Sequence, residues 1–318
     1  MKIAILVIWA LALETSALGQ TYFDTRAKLG QAIDENSNEL LPPYELGAVS
    51  YPVVQNLFRK FQNDGWVEFR YPQNGCQYRA HAMARMLLEN GIKSNKIWSF
   101  KPSLLNGTNN SDLLIGDPNF PEAKVQWAYH VAPVVVVDIP GKGIDSVVLD
   151  PSMFPEPVNY HVWLKALSNE DQFFTFVHPK YVQYETNGQN QLTGKWFSES
   201  RSMDMRWIST SLCQGKIFYL YIENEVKPIQ ARIQSITAQL SQGGSSMTQK
   251  QKDGLAFDKK QLTKLYDDRK ALATNSANFG KLPAAYQSML VECQESLMEC
   301  IYFYWDNIEK NGVLQRCK

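Results

Sequence analysis

Near Lys227 the periodicity of the sequence changes, and this break limits the possible folds more than any other feature. Before it come short runs rich in β-branched and aromatic residues: Val125 to Ile139, Ser146 to Asp150, Phe173 to Val177, Lys180 to Tyr184 and Lys216 to Ile222. Bounded by Pro, Gly and Asn, such runs read as strands. After it, Ile229, Ile233, Ile236 and Leu240 recur three and four apart, which is the spacing of one helix face. Gly243 to Ser246 reads as a flexible joint, and further helices are expected over Gln251 to Ala273 and Pro283 to Ile308. Strands followed by helices predict the α+β class. The expected layout is an α+β domain over residues 20–224 and an α-helical extension over 225–318, with no internal repeat.

The first residues read as a secretory signal: Met1-Lys2, an apolar run from Ile3 to Leu13, and small residues from Ser16 to Gly19. The mature chain is expected to start near Leu18 or Gln20, and a helix is expected over Thr25 to Ile33. The apolar run is shorter than the ~20 residues that span a bilayer, and no later segment approaches that length. Export places the cysteines where they oxidise. Four of the five, Cys213, Cys293, Cys300 and Cys317, lie in the C-terminal third, and Cys76 stands far upstream. On one helix, Cys293 and Cys300 would be separated by ~10 Å, too far to bridge. Two connectivities remain, Cys213 with Cys293 and Cys300 with Cys317, or Cys213 with Cys300 and Cys293 with Cys317. Either leaves Cys76 as a thiol. Lys plus Arg equals Asp plus Glu at 32 each, so no net field would hold nucleic acid or an anionic membrane.

Cys76 opens a run in which Ala82, Met83, Met86 and Leu87 share a helical face and Gly91 provides the stop. A thiol at a helix start lies at the positive end of the helix dipole, where the attacking thiolate is favoured. The base for such a nucleophile is a histidine, and the chain has four. His81 is about 140° around the same helix from Cys76 and points elsewhere. His161 and His178 have no obvious acid beside them. His130 lies on a strand that turns at Pro140 to Gly143 and returns to Asp150 before Pro151. Adjacent strands run ~4.8 Å apart, so Asp150 can orient the His130 imidazole across this hairpin. Pro133 calls for an edge position or a bulge there. A nucleophile on a helix start with base and acid on neighbouring strands is the layout of papain-like and transglutaminase-like thiol enzymes. Asn106-Gly-Thr and Asn109-Asn-Ser are formal glycosylation acceptors in the loop between helix and hairpin. No metal-ligand spacing and no Gly-rich phosphate loop is present, so neither metal nor cofactor is implied.

Gly75-Cys76 with Arg79-Ala80-His81, Trp127-x-Tyr129-His130-Val131-Ala132, and Leu149-Asp150-Pro151 together resemble the protein-glutaminase family, secreted enzymes that deamidate glutamine side chains within proteins. The resemblance covers roughly residues 60–215. It implies Cys76 as nucleophile, His130 as general base and acid, and Asp150 as the orienting acid. It also implies an antiparallel sheet packed on the nucleophile helix, in a core similar to transglutaminases. The partners it implies are proteins or peptides with exposed glutamine. Members often carry a long pro-segment ahead of the catalytic domain, whereas about 55 residues separate the expected cleavage point from Cys76. The helical extension lies outside the resemblance.

The same thioester chemistry serves a transglutaminase, if a lysine amine resolves it, or a cysteine peptidase, if a peptide bond is attacked. A non-catalytic exported binding protein, with Cys76 buried and His130 structural, is the reading from a different class. The residues leave substrate identity and oligomeric state open.

Overall fold

The computed structural model describes residues 33–34, 40–63, 65, 67–101, 104, 112–118, 120–167, 172–201, 204–243, 248–274 and 282–311. The expected signal segment, both glycosylation acceptors and Cys317 lie outside these residues, as does most of the helix expected over Thr25 to Ile33. Ile33 itself lies in a strand. The chain divides into two compact units, one of residues 1–59 and 79–199 and one of residues 60–78 and 200–318.

The first unit is built on a long strand of Val, Ile and Ala. This strand, β6 (Tyr129–Ile139), lies inside a sheet ordered β8-β7-β6-β3-β9. Its partners are β3 (Asn95–Phe100), β7 (Gly143–Val148), β8 (Val158–Asn159) and β9 (Phe173–Val177), all antiparallel to their neighbours. A two-residue strand, β2 (Val49–Ser50), pairs in parallel with the far end of β6, ahead of helix α1 (Tyr51–Gln62). β4 (Leu113–Asp117) and β5 (Phe120–Trp127) form a separate hairpin. β1 (Ile33–Asp34), β10 (Tyr181–Thr186) and β11 (Leu192–Ser198) form a third, small sheet in which β1 runs parallel to β11. The sequence run Val125 to Ile139 is thus two strands, broken at Ala128.

Pro133 departs from expectation by sitting on interior strand β6, opposite Lys96, with no shift of register in the β6–β7 ladder. Its carbonyl accepts from the Leu149 N–H at 2.9 Å, one residue beyond the end of β7. In an antiparallel ladder a residue's N–H and C=O face the same neighbour. The missing proline donor therefore faces Leu149, the first residue past the end of β7.

Alternation along β6 gives the sheet two different faces. Ala132 and Val134 join Ile97, Val148, Trp163, Leu164 and Phe174 in one core, which extends to Trp127 of β5. Trp98 packs with Tyr129, Tyr184 and Trp196, its ring centroid 5.3 Å from that of Trp196 at 82°. The edge-to-face arrangement suits the ring quadrupoles. Helix α2 (Cys76–Glu89) begins the segment that returns to β3, and a left-handed Gly91 (φ +73°) stops it as expected. Helix α3 (Tyr160–Ala166) follows β8, with the Asn159 side chain accepting from the His161 N–H.

The second unit is helical. A π-helical turn (Asp204–Ile208) leads into α4 (Ser209–Tyr221), a second π-helical turn (Ile222–Val226) and α5 (Lys227–Gly243). Two long helices follow, α6 (Gln249–Thr274) and α7 (Ala284–Asn311). Residues Lys216 to Ile222, expected as a strand, are helical. The reason is burial around the whole helix: Leu212, Cys213, Ile217, Phe218, Tyr219 and Tyr221 are all buried. A helix wrapped on all sides carries no polar face, so its 3.6-residue period disappears from the sequence.

Residues leading to Cys76 belong to this helical unit. Tyr71 stacks on Phe218 with centroids 5.1 Å apart, the Arg70 guanidinium lies 3.8 Å from the Tyr219 ring centroid, and Lys216 donates to the Gly65 carbonyl at 2.9 Å. A Cys213–Cys293 disulfide ties α4 to α7, which selects the first of the two connectivities allowed by spacing. Cys300 is disulfide-bonded as well. Removing the 213–293 bridge, by Cys213→Ala with Cys293→Ala, releases a long loop in the unfolded chain. It is expected to cost about 3 kcal/mol, read as a lower urea midpoint. An unchanged midpoint would mean that packing alone holds α4 to α7.

Candidate active site

Cys76 owes its position to the residue before it. Gly75 takes φ +76°, a left-handed conformation open to glycine, and its carbonyl accepts from the Tyr78 N–H at 3.1 Å to start α2. The N–H groups of the first turn have no acceptor within a helix by construction. Cys76 is a reduced, buried thiol, and its Sγ donates to Oε1 of Gln77 at 3.6 Å. The division between units falls within this helix, between Tyr78 and Arg79, so Cys76 belongs to the helical unit.

His130 and Asp150 are brought together inside the first unit. The register Val134↔Val148 places Asp150 just past the end of β7, and Nε2 of His130 lies 2.7 Å from its Oδ2. Trp163 of α3 donates from Nε1 to the same oxygen at 2.8 Å. Oδ1 receives the Ser152 backbone N–H at 3.2 Å and the Ser152 hydroxyl at 2.5 Å. Four donors converge on one carboxylate that is 3% exposed. Burial alone would raise the Asp150 carboxyl, but the His130 charge and the hydrogen bonds from His130, Ser152 and Trp163 outweigh it and hold the group below its ordinary value. Because Asp150 fixes the proton on Nε2, Nδ1 of His130 carries the lone pair in the neutral ring. The ring itself is clamped: Trp127 stacks on one side at 4.0 Å and 6°, and Trp163 lies at 5.5 Å and 21°.

Two of these supporting residues escaped sequence reading. Ser152 carried a signal, since Asp-Pro-Ser is a turn in which the Asp side chain bonds the backbone two residues on. Trp163 carried none.

The other histidines stay outside this constellation. His161 is exposed on α3. His178 lines a pocket with Tyr44, Ser94, Lys180, Glu199 and His81. His81 is held by charge: Lys96, fully buried, donates from Nζ to its Nδ1 at 3.1 Å and to the Tyr181 carbonyl at 2.7 Å, while Nε2 faces Glu199 at 3.2 Å. Arg85 pairs with the same carboxylate at 2.8 Å. Burial, with the charges of Arg85 and Lys96, pushes His81 down to about 3 against the opposing pull of Glu199, so the ring is neutral. Among the described residues, no group of three His, Cys, Asp or Glu side chains could hold a metal ion.

Residues 54–167 match a family model described as Glutaminase (Gln_deamidase_2). Over these residues the chain is similar to the glutaminase family. Cys76, His130 and Asp150 all lie within this segment, so the resemblance carried by their motifs is borne out over that stretch. No match was found among curated proteins. Among solved structures, the chain is similar to the protein-glutaminase from Chryseobacterium proteolyticum, at 20% identity and a TM-score of 0.39 over 54% of this chain and 89% of that one. A crystal structure of protein-glutaminase aligns at 20% identity and a TM-score of 0.40, over 55% of this chain and 90% of that one. One of pro-protein-glutaminase aligns at 19% and 0.41, over 61% and 65%.

Proposed function

We propose that the protein is an exported glutaminase that deamidates glutamine side chains in proteins, with Cys76 as nucleophile, His130 as general base and acid, and Asp150 as the residue that orients His130. The observation that carries the reading is the buried His130–Asp150 hydrogen bond, clamped by two tryptophans, in a glutaminase-like segment that also holds a reduced cysteine at a helix start. Export is supported by the signal-like N-terminal sequence and by the Cys213–Cys293 disulfide. No helix among the described residues is long and apolar enough to cross a membrane.

In the proposed reaction, Nδ1 of His130 takes the Cys76 proton and the thiolate attacks the carboxamide carbon of a substrate glutamine. First-turn N–H groups of α2 stabilise the oxyanion. The C–N bond breaks, and the imidazolium returns its proton to the departing ammonia. Water then loses a proton to the same imidazole and attacks the thioester carbonyl. The thiolate leaves, recovers that proton, and glutamate is released. The net change is one water consumed and one ammonia formed for each glutamine.

The test is ammonia release from casein by the full chain, with intact-mass analysis of the substrate. Release with steps of about +1 Da and no fragments is the expected result for thioester hydrolysis. Covalent substrate dimers would replace the reading with a transglutaminase, and fragments with a peptidase. An unchanged substrate would leave a binding protein.

A further inference from the structure

The residue after the nucleophile has no role in the scheme above, yet it is the side chain in contact with the sulfur. Gln77 is 6% exposed and Cys76 is 5% exposed, and Oε1 of Gln77 accepts from Sγ of Cys76 at 3.6 Å. The same carboxamide hydrogen-bonds the phenol of Tyr78, a group that burial pushes above its ordinary value. The amide is therefore held between a thiol on one side and a phenol on the other.

This contact suits only the neutral thiol. An S–H can donate to an amide oxygen, but a thiolate cannot, and it would face a lone pair instead. The carboxamide has a second face: its NH2 carries two donors, and the terminal torsion of glutamine is broad and roughly two-fold. A half-turn of that torsion points N–H at sulfur and the amide oxygen at Tyr78, whose O–H can donate to it. Both contacts survive with donor and acceptor exchanged. A hydrogen bond to an ionised partner is about twice as strong as one between neutral groups, so proton loss from Cys76 itself favours the turned amide. Once sulfur has added to the substrate, the new oxyanion sits on the carbon bonded to that sulfur, within reach of the same N–H.

We propose that Gln77 is a catalytic residue, its carboxamide turning from acceptor to donor as Cys76 ionises and then donating to the oxyanion of the tetrahedral intermediate. This rests on the glutaminase reading for the second of its two actions and on the Cys76–Gln77 contact alone for the first. A merely structural Gln77 would fill space and affect melting without affecting thiol chemistry.

The experiment uses Gln77→Met, which keeps length and apolar volume but has no donor. Gln77→Glu, the same shape with a carboxylate, is the second variant should the first fail to fold. Two quantities are measured on the full chain: the pH profile of iodoacetamide alkylation at Cys76, located by peptide mass, and kcat and KM for ammonia release. Both variants are expected to alkylate about 10-fold more slowly at neutral pH, with the midpoint moved to higher pH. Turnover is expected to fall about 10²-fold with KM within about threefold, as for loss of one oxyanion donor. An unmoved alkylation midpoint, or a kcat within about twofold of the parent, overturns the proposal. If the parent releases no ammonia, the glutaminase reading fails, and the alkylation profile alone still decides whether Gln77 governs the thiol.

Discussion

Asp150→Asn is expected to lower turnover about 10⁴-fold in a protein that still folds, and Cys76→Ala to remove ammonia release altogether. The reason lies in how Asp150 is used. Its Oδ2 accepts from His130 and Trp163, and its Oδ1 accepts from two groups of Ser152. Each oxygen serves two donors, and asparagine has one oxygen. With its amide oxygen toward Ser152, the NH2 faces His130 and forces the imidazole proton onto Nδ1, the position that must receive the thiol proton. With its oxygen toward His130, the tautomer survives but the NH2 faces the Ser152 donors. Neither orientation supplies a negative charge to balance the imidazolium formed during the reaction. The structural cost is a buried donor left unmet, about 1–3 kcal/mol, which is modest beside the loss of rate. Because the residues act as one unit, Asp150→Asn combined with Cys76→Ala should be no worse than Cys76→Ala alone. Kinetics and a urea melt of each variant check this. A loss of turnover under about tenfold for Asp150→Asn, with its melt intact, would remove Asp150 from the mechanism.

What the sequence made readable follows from how local each signal is. Cys76 stands out because it is isolated from the other cysteines, and because a preceding glycine and helical periodicity lie within 16 residues of chain, from Gly75 to Asn90. His130 and Asp150 were readable as a pair because a β-hairpin converts chain distance into spatial distance through a known turn, and β6 and β7 obey that rule. Trp163 reaches Asp150 from α3, and nothing in local spacing encodes the path of that helix over the sheet. The mistaken strand at Lys216 to Ile222 has the opposite cause. Its aromatic and β-branched composition is real, but tertiary burial uses it to cover a helix on every side. Residues 60–78 pack on α4 through Tyr71, Arg70 and Gly65, contacts about 150 residues apart in sequence, so their place in the helical unit was invisible to local reading.

His81 alone is expected to cost about 4 kcal/mol of folding stability as pH falls from neutral to 3. The imidazole lies in a fully buried setting between Lys96 of β3, Arg85 of its own helix, and Glu199 just after β11. Lys96 donates to Nδ1, so protonating that nitrogen would turn an acceptor into a donor facing an ammonium group. The ring therefore resists protonation in the folded state until about 3, against an ordinary value of 6.5. In the unfolded chain His81 takes its proton as pH passes 6.5. Across that window the unfolded state binds more protons, so stability is complete above pH 6.5 and declines as pH falls toward 3. His178, lowered to about 4 by burial and by Lys180, acts in the same direction. The carboxyls of Glu199 and Asp150, both held below their ordinary values by their partners, extend the loss below pH 4.5 and 3.8 respectively. Urea unfolding at a series of pH values in the parent and in His81→Gln reads the effect. The parent should weaken steeply below pH 6.5, and the variant, less stable at pH 7 because Lys96 loses the Nδ1 acceptor and keeps the Tyr181 carbonyl, should show a flatter slope. Equal slopes in the two proteins would mean that His81 is not the group that resists the proton, and that the acid loss belongs to His178 and the carboxylates.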